Sequence, residues 1–324
     1  DGVCSTYILL QAFERLGSDV DFEIPDRIKD GYGINESIIE QAHADGVEVI
    51  LTCDNGISAF HQVELAKKYG MTVVITDHHE VPLDGEKEKI PPADAVIDPK
   101  QADCPYPFPE ICGAVVAYKL VQVLYTRRGV PQMEWLDLLE FAAIATVGDV
   151  MKLQDENRIL VKYGLKKMAQ TKNLGLRRLA EKNNLDLGAI TAYHIGFVIG
   201  PCLNAGGRLK TAKEALALLR AQSEEEAERL AEELKELNDT RKDMTEQGTE
   251  AAKLQVESWY QKDKVLVVFL PECHESLAGI IAGRLREYYQ KPAIVLTRGE
   301  EAVKGSGRSI DEYHMFKKLT EVSD

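Results

Sequence analysis

The run VVITDHHEVP places one aspartate and two consecutive histidines, Asp77, His78 and His79, directly after a series of β-forming residues. The chain of 324 residues contains only seven histidines, so two in a row at this point need a reason. Imidazole is a common metal ligand and also gives or takes a proton near neutral pH. The alternative is a polar turn that follows a strand. The side chains that the fold brings beside this pair decide between the two interpretations.

Three further acidic residues occupy positions of a similar kind: Asp1, Asp54 and Asp149. Asp54 follows the apolar run VEVILTC, Asp1 precedes a helical pattern, and Asp149 follows the stretch ATVG. Several carboxylates that converge with an imidazole repel one another unless cations lie between them. Oxygen ligands with one nitrogen suit Mn²⁺ or Mg²⁺, and two such ions about 3.5–4 Å apart form a hydrolytic site. The residue types therefore predict a two-metal hydrolytic centre.

The elements around these residues alternate between strand and helix. Strands are predicted at residues 47–53, 71–76 and 93–98, and helices at 4–16, 58–69, 113–127, 133–145 and 159–184. Ser58 is the expected N-cap of the second helix. This rhythm predicts an α/β fold with a mostly parallel sheet. Ligands of such sheets bind beyond the C-terminal ends of the strands, so Asp54 and the DHH triplet are expected on neighbouring loops.

A long helix separates this region from a second α/β region. Ser223 and Glu226 predict a capping box for a helix that extends to about residue 260, with a weak point at Gly248. Such a helix is about 55 Å long, which favours a connector between domains. Further strands are predicted at 264–270 and 292–298, a helix at 276–289, and a glycine-rich strand or turn at 303–309. The predicted divisions are 1–190, 191–261 and 262–324.

Composition narrows the possible classes of protein. The net charge of −14 argues against bulk attraction to nucleic acid, although acids that bind metal ions contribute to that sum. No run of about 18 apolar residues is present, so no membrane-spanning segment or membrane partner is expected. Six widely spaced cysteines without a C-x-x-C pair indicate the reduced thiols of a cytoplasmic protein. Because the chain begins at Asp1 without a methionine or a leader, we expect a fragment cut at both ends.

Several short motifs carry a family resemblance. The chain contains DG, DNG, DHH and GDV in order, together with PDRIKDGYG, IGPCLNAGGRL, HESLAGIIAGRL and GSGRS. The first set resembles the DHH phosphoesterase superfamily, and the second resembles its RecJ branch of single-strand-specific 5′→3′ DNA exonucleases. The resemblance covers nearly the whole chain. It implies a DHH domain, a long connecting helix and a smaller, incomplete α/β domain of the DHHA1 type.

The resemblance also implies an activity and its components. The reaction would be hydrolysis of single-stranded DNA with two Mn²⁺ or Mg²⁺ ions, in DNA repair and recombination. A helicase or a single-strand-binding protein would be a partner. A cleft between the two domains, too narrow for a duplex, would select single strands.

Roles of individual residues follow from the same resemblance. It implies four metal ligands: Asp1, Asp54 (as the bridging carboxylate), His78 and Asp149. His79 would face the scissile phosphate. Asp77 is expected to hold His78 in one tautomer, because a ligating imidazole usually donates its other N–H to a carboxylate; the alternative is a turn or cap.

Substrate contacts are implied at six residues: Arg27, Asn204, Arg208, His274, Ser306 and Arg308. A planar guanidinium suits phosphate, and a helix N-terminus such as that at His274 favours anions. The alternatives are a solvated Arg27, a hairpin turn for GSGRS and a helix cap for His274. The family often has arginine where Cys202 stands, which would remove one phosphate contact. The first aspartate of D-x-D-G and the late G-G-H-type motif are absent, so we expect poor turnover.

Two other functions compete with this one. A small-substrate DHH phosphoesterase would act on oligoribonucleotides, cyclic dinucleotides or pyrophosphate, but the long helix and the RecJ-like runs argue against it. A nucleic-acid-binding scaffold with a decayed site would be a protein of a different class. The metal-binding positions present in the chain are intact, which argues against decay.

Overall fold

The computed structural model describes residues 1–25, 33–299 and 302–322. The chain forms two compact units, Asp1–Lys235 and Glu236–Asp324. Within the described residues, no helix is both long enough and apolar enough to cross a membrane.

The first unit is a parallel sheet with many helices. Its strands are β1 (Val49–Cys53), β2 (Thr72–Thr76), β3 (Leu83–Asp84), β4 (Lys87–Glu88) and β5 (Ala95–Ile97), and its helices are α1 (Gly2–Arg15), α2 (Glu36–Ala44), α3 (Phe60–Lys68), α4 (Gly113–Arg128), α5 (Gln132–Leu136), α6 (Leu139–Gly148), α7 (Asp155–Met168), α8 (Leu174–Lys182), α9 (Ala192–His194), α10 (Gly200–Leu209) and α11 (Lys213–Arg220). The parallel order is β1-β2-β5, and β3 and β4 form a small antiparallel hairpin. The predicted α/β class with a parallel sheet is confirmed.

The core of this unit lies between apolar helices. The segment LEFAAIAT of α6 is buried along its whole length, and α4 is buried from Gly113 to Tyr118. Helix α1 packs against α4, α6 and α11. These contacts fix the beginnings of α1 and α4 and the end of α6 relative to the sheet.

Several predicted helix boundaries are wrong for local reasons. Ser58 is not the N-cap of α3, because the N–H of Ala59 donates to the carbonyl of Gly56 in a turn and the helix begins at Phe60. The helix predicted at 159–184 is two helices. Asn173 begins the second of them, since its side chain accepts a hydrogen bond from the N–H of Leu176 at 2.9 Å. The helix predicted at 133–145 is likewise divided into α5 and α6.

A long helix, α12 (Glu224–Gln255), follows and continues as a π-helical turn over Val256–Tyr260. Ser223 accepts from the N–H of Glu226 at 3.2 Å, but the Glu226 carboxylate accepts from Gln222 rather than from Ser223. Half of the predicted capping box is therefore present.

The second unit contains the remaining elements: β6 (Leu266–Phe269), α13 (Glu275–Tyr289), β7 (Ala293–Arg298), β8 (Val303–Arg308) and α14 (Met315–Thr320). Strands β6 and β7 are parallel, and β8 is antiparallel to β7. GSGRS therefore lies mainly in a strand, not in a hairpin turn. Helix α12 does not break at Gly248: a Cβ there would lie 2.6 Å from Cδ1 of Ile281, so glycine allows α12 to approach α13 closely.

Candidate metal centre

The candidate centre begins where two neighbouring strands end. The N–H of Asp54, just after β1, donates to the carbonyl of Thr76 at 3.1 Å, and the N–H of Asp77, just after β2, donates to Ile97 at 3.0 Å. These bonds continue the parallel ladder by one residue beyond each strand. Asp54 and the DHH triplet therefore start at the same edge of the sheet, as expected for parallel strands.

Three carboxylates converge on the imidazole of His78. Its Nε2 lies 3.0 Å from Oδ1 of Asp54, 3.3 Å from Oδ2 of Asp1 and 3.7 Å from Oδ2 of Asp149. The side chains of His78 and Asp1 are buried, and those of Asp54 and Asp149 are 18% and 35% exposed. Adjacent ligands of an octahedral ion with bonds of about 2.1 Å lie roughly 3 Å apart. The donor set and its spacing therefore fit Mn²⁺ or Mg²⁺.

The Asp1 carboxylate is held by the N-terminus of α4. Its Oδ2 accepts from the N–H of Gly113 at 2.7 Å, and its Oδ1 accepts from the N–H of Ala114 at 2.8 Å. These N–H groups have no partner within their own helix, and the helix dipole favours a negative charge there. The N-terminus of α4 therefore holds this carboxylate through two backbone hydrogen bonds.

Asp54 has an unusual backbone and a close neighbour. Its φ is 58°, a left-handed conformation that aspartate tolerates better than most residues. A Cβ at Gly113 would lie 2.7 Å from the Cβ of Asp54 and 2.8 Å from its Cα. Glycine at 113 therefore permits the approach of α4 that brings Asp1 and Asp54 together.

The carboxylate of Asp77 contacts the imidazole of the second histidine of the triplet, not that of the first. Its Oδ1 lies 2.7 Å from Nδ1 of His79 and also accepts from the N–H of His78 at 2.7 Å, while its Oδ2 accepts from the N–H of Ile57 at 2.9 Å. Nδ1 of His78 is buried without a hydrogen-bond partner among the described residues. The prediction that Asp77 fixes the tautomer of His78 is therefore wrong. Asp77 instead orients His79, because its Oδ1 pairs with Nδ1 of that ring.

Burial and hydrogen bonding set the charges of this group. Burial acts to raise the pKa of Asp77, but hydrogen bonds from His79 and from the N–H groups of Ile57 and His78 lower it below its usual value. The bond to Asp77 raises the pKa of His79, which favours a cationic imidazole. Burial raises the pKa of Asp149. The ring of His79 is 57% exposed, and one of its nitrogens belongs to a group with Asp54 and His78 whose ligand atoms all lie within 4.8 Å.

Two of the predicted substrate residues lie beside the centre. Asn204 and Arg208, on α10, line a cavity of about 120 Å³ that Asp1 and Asp54 also line. Cys202 is fully buried, and its thiol donates to Oδ1 of Asn183 at 3.8 Å. Because Cys202 faces the core, the expectation that it replaces a phosphate contact has no support in this helix. Arg27 lies outside the described residues.

The other predicted substrate residues lie around α13 in the second unit. His274 is the N-cap residue of α13, but its ring makes no capping bond and instead pairs with the hydroxyl of Ser276 at 2.7 Å. A Cβ at Gly279 would lie 2.9 Å from Nη2 of Arg308 and 3.4 Å from Oγ of Ser306. Ser306 and Arg308 therefore project from β8 onto the first turns of this helix.

Sequence reasoning missed several residues of the first unit, among them Gly113, Ala114, Lys210 and Thr211. The first two hold Asp1, and the other two line the cavity. A signal was available for Gly113, since glycine opens the apolar helix GAVVAYKLV directly after a proline-rich loop. No local pattern marks Lys210, whose ammonium pairs with Glu233 and, at 2.9 Å, with Glu214.

Known proteins resemble this chain in sequence and in fold. The model of the DHH family, N-terminal domain, matches residues 1–146. The single-stranded-DNA-specific exonuclease RecJ of Bacillus subtilis is 38% identical over 326 residues, which cover 100% of this chain and 40% of that protein. RecJ of Escherichia coli is 37% identical, with 98% and 57% covered. A crystal structure of exonuclease RecJ bound to manganese matches with a TM-score of 0.83 and 31% identity.

The extent of these matches differs between the two kinds of relative. The chain spans about half the length of the two curated relatives, 40% and 57%. It covers 77% of the crystallised protein, and that match includes 98% of this chain. The chain therefore belongs to the RecJ family of DHH phosphoesterases.

Proposed function

We propose that the chain carries the catalytic centre of a metal-dependent 5′→3′ exonuclease that hydrolyses single-stranded DNA. The observation that carries this proposal is the convergence of Asp1, Asp54 and Asp149 on Nε2 of His78 at 3.0–3.7 Å. The names of the relatives, which are single-stranded-DNA-specific exonucleases, supply the substrate class. A RecJ crystal structure bound to manganese and another in complex with Mg²⁺ support these two ions as cofactors.

Asp1, Asp54, His78 and Asp149 would hold two divalent ions, with Asp54 as the bridging carboxylate. When bound, these ions would supply Lewis acidity, which would polarise the scissile phosphate and lower the pKa of a bound water, so that hydroxide is available as the nucleophile near neutral pH. The two N–H groups of α4 keep the Asp1 carboxylate in place. A ligand that is already oriented loses no further freedom when an ion binds.

His79 would stabilise the charge that develops on the phosphate. Its bond to Asp77 fixes the ring and raises the pKa of His79, which favours the cationic form that would stabilise this negative charge. Asn204 and Arg208 would bind a phosphate in the cavity that they share with Asp1 and Asp54. Arg27, His274, Ser306 and Arg308 would contact the rest of the strand.

The organisation of the protein is part of the same proposal. We assign the DHH domain to 1–190, the linker motif and long helix to 191–261, and the DHHA1-type domain to 262–324. The match of the DHH family to residues 1–146 supports the first of these assignments. Because duplex DNA must be opened before a single-strand enzyme can act, a helicase or a single-strand-binding protein would supply the substrate in DNA repair and recombination. The described residues contain no disulfide among the six cysteines, which supports a cytoplasmic location.

The test uses the intact protein with Mn²⁺ and a 3′-labelled, 5′-phosphorylated single strand, longer than the about 4–16 nucleotides that one single-strand-binding fold covers. Parallel reactions contain the matching duplex, a dinucleotide, a cyclic dinucleotide and a metal chelator. We expect shortening of the single strand from its 5′ end, abolished by the chelator. His79→Ala should reduce the rate by about 100-fold or more, whereas His61→Ala, an exposed histidine on α3, should not.

Each alternative has its own result in this experiment. Cleavage of only the dinucleotide or the cyclic dinucleotide would replace the exonuclease with a small-substrate phosphoesterase. Binding of the strand without cleavage in Mn²⁺ or Mg²⁺ would indicate a scaffold.

A further inference from the structure

Two large aromatic side chains stand exposed on the helical run that carries Asn204 and Arg208. This run consists of α9, a π-helical turn over Ile195–Ile199, and α10. Tyr193 and Phe197 are 65% and 67% exposed. The buried positions of the same run are Ile195, Ile199, Gly200, Cys202, Leu203, Ala205 and Gly206. The run is therefore largely packed against the core, and Tyr193, Phe197 and Asn204 are exposed on it.

The two rings are arranged as a stack. Their centroids lie 4.7 Å apart, with an angle of 28° between the planes. An exposed pair of large aromatic rings is a candidate binding surface, since contiguous apolar surface on a protein often marks a binding site. Flat rings of this kind stack on nucleic-acid bases of any sequence, because every base has a π-face.

The helical run that carries the rings also reaches the candidate centre. Asn204 is exposed and follows Phe197 by seven residues along this run, which includes the π-helical turn. Asn204 and Arg208 line the cavity shared with Asp1 and Asp54. The π-helical turn also lies close to the end of α6, since a Cβ at Gly196 would lie 3.5 Å from the side chain of Val147, two residues before Asp149.

We propose that Tyr193 and Phe197 form a base-stacking platform for single-stranded DNA, a few nucleotides away from the phosphate that is cleaved. The occupant is single-stranded DNA because the helical run that carries the rings also lines the cavity of the proposed nuclease site, and because only unpaired bases offer free faces to an aromatic ring. The inference rests on the proposed function and extends it from the reaction centre to the path of the strand.

The platform predicts an effect that depends on strand length. In the intact protein with Mn²⁺, Phe197→Ala and Tyr193→Ala should each weaken binding of a long single strand by roughly 5- to 150-fold. Hydrolysis of a dinucleotide, which is too short to reach the platform, should be unchanged. Phe197→Trp should retain binding, and its fluorescence should be quenched by the strand. Phe197→Leu, which keeps the apolar volume without the ring, should behave like Phe197→Ala.

A matched control and the contrary results complete the test. Tyr163→Ala removes an aromatic residue of α7 that is 50% exposed in the same unit, and it should leave binding unchanged. Equal losses on the dinucleotide and the long strand would overturn the platform, as would wild-type binding in both alanine variants or in Phe197→Leu. If the wild-type protein cleaves no single strand at all, the proposed function fails. If it cleaves normally and the variants bind normally, only the platform fails.

Discussion

Acidic side chains are buried at two places in the first unit, the edge of the sheet and the interior of α6. At the sheet edge, Asp1 and Asp54 lie within 3.3 Å of Nε2 of His78, and Asp1 also accepts two backbone hydrogen bonds. In α6, Glu140 is 4% exposed and accepts one hydrogen bond, from the hydroxyl of Thr171 at 2.7 Å. Its Oε2 has no partner among the described residues. Both places bury a carboxyl group, but the number of hydrogen-bond and charge partners around that group is very different.

The difference shows that burial alone does not identify a functional carboxylate. Burial raises the pKa of Glu140 to about 7, so this group keeps its proton through mildly acidic pH. At the sheet edge, several carboxylates converge on one imidazole nitrogen, so a bound cation can offset their charge. Convergence of donors, rather than depth in the core, separates the metal centre from an isolated buried acid.

The largest expected effect comes from removing charge at the sheet edge. Asp54→Asn keeps a side chain that tolerates the left-handed φ of 58° but removes the proposed bridging carboxylate. We expect the rate of strand hydrolysis to fall on the order of 10⁴-fold, and Mn²⁺ binding measured by calorimetry to weaken.

The matched control is Asp155→Asn, an exposed aspartate of α7 that also has a positive φ, of 40°. It should leave both rate and metal affinity unchanged. An Asp54→Asn variant with wild-type turnover would show that the convergence of acids is not the catalytic feature.

A second variant changes the backbone that positions the metal-binding carboxylates and leaves the carboxylates themselves intact. In Gly113→Ala the new Cβ would lie 2.7 Å from the Cβ of Asp54, so α4 and the loop after β1 must move apart. A misplacement of about 1 Å can cost about 100-fold in rate, and we expect a loss of that size with weaker Mn²⁺ binding. Gly283→Ala, where a Cβ meets no atom within 4 Å, is the control. Normal activity in Gly113→Ala would indicate that the backbone support is dispensable.

The sequence predicted those parts of the centre that depend only on which residues directly follow each strand. Asp54 and His78 follow neighbouring parallel strands, and parallel strands end at one edge, so their meeting could be expected before the fold was known. The position of Asn204 and Arg208 near the centre could be predicted only from the family resemblance. Nothing in the spacing of these residues indicates that they lie near the sheet edge.

Other features depend on packing that no short stretch of sequence specifies. Gly113 contributes through an approach to Asp54, 59 positions earlier, which only the assembled core determines. Asp77 has two imidazole neighbours in sequence, and the turn geometry selects His79. The division between α7 and α8 depends on a side-chain bond of Asn173. Glu140 could have been noticed as the one charge within the apolar stretch LEFAAIAT, but its burial required the structure.

A third prediction concerns the isolated acid and the pH dependence of stability. Unfolded Glu140 loses its proton near pH 4.5 and folded Glu140 near pH 7, so the unfolded state binds fewer protons between these values. The free energy of unfolding therefore falls as pH rises through this window. Glu140→Gln cannot ionise and should be more stable than the wild type above pH 7, by up to about 3 kcal/mol.

Urea unfolding measured across that pH range tests this prediction. The advantage of Glu140→Gln should shrink towards pH 4.5 and disappear below it. Glu40→Gln, at an exposed position of α2, should follow the wild-type curve. An advantage of Glu140→Gln that does not vary with pH would mean that Glu140 does not titrate in the folded protein as stated.

The smallest expected effect comes from the one hydrogen bond that Glu140 receives. Thr171→Val preserves shape but removes the hydroxyl that donates to Glu140 and accepts from the N–H of Asn173, at a cost of about 1 kcal/mol. Because this hydroxyl lowers the pKa of Glu140, its removal raises the pKa of the folded state further, so the cost should increase as pH rises through and above about 7. In the Glu140→Gln background the pH-dependent part should vanish, and only the pH-independent loss of the hydroxyl's bonds to the side chain at position 140 and to the N–H of Asn173 should remain. If the pH-dependent part persisted there, some other group would be responsible for the titration.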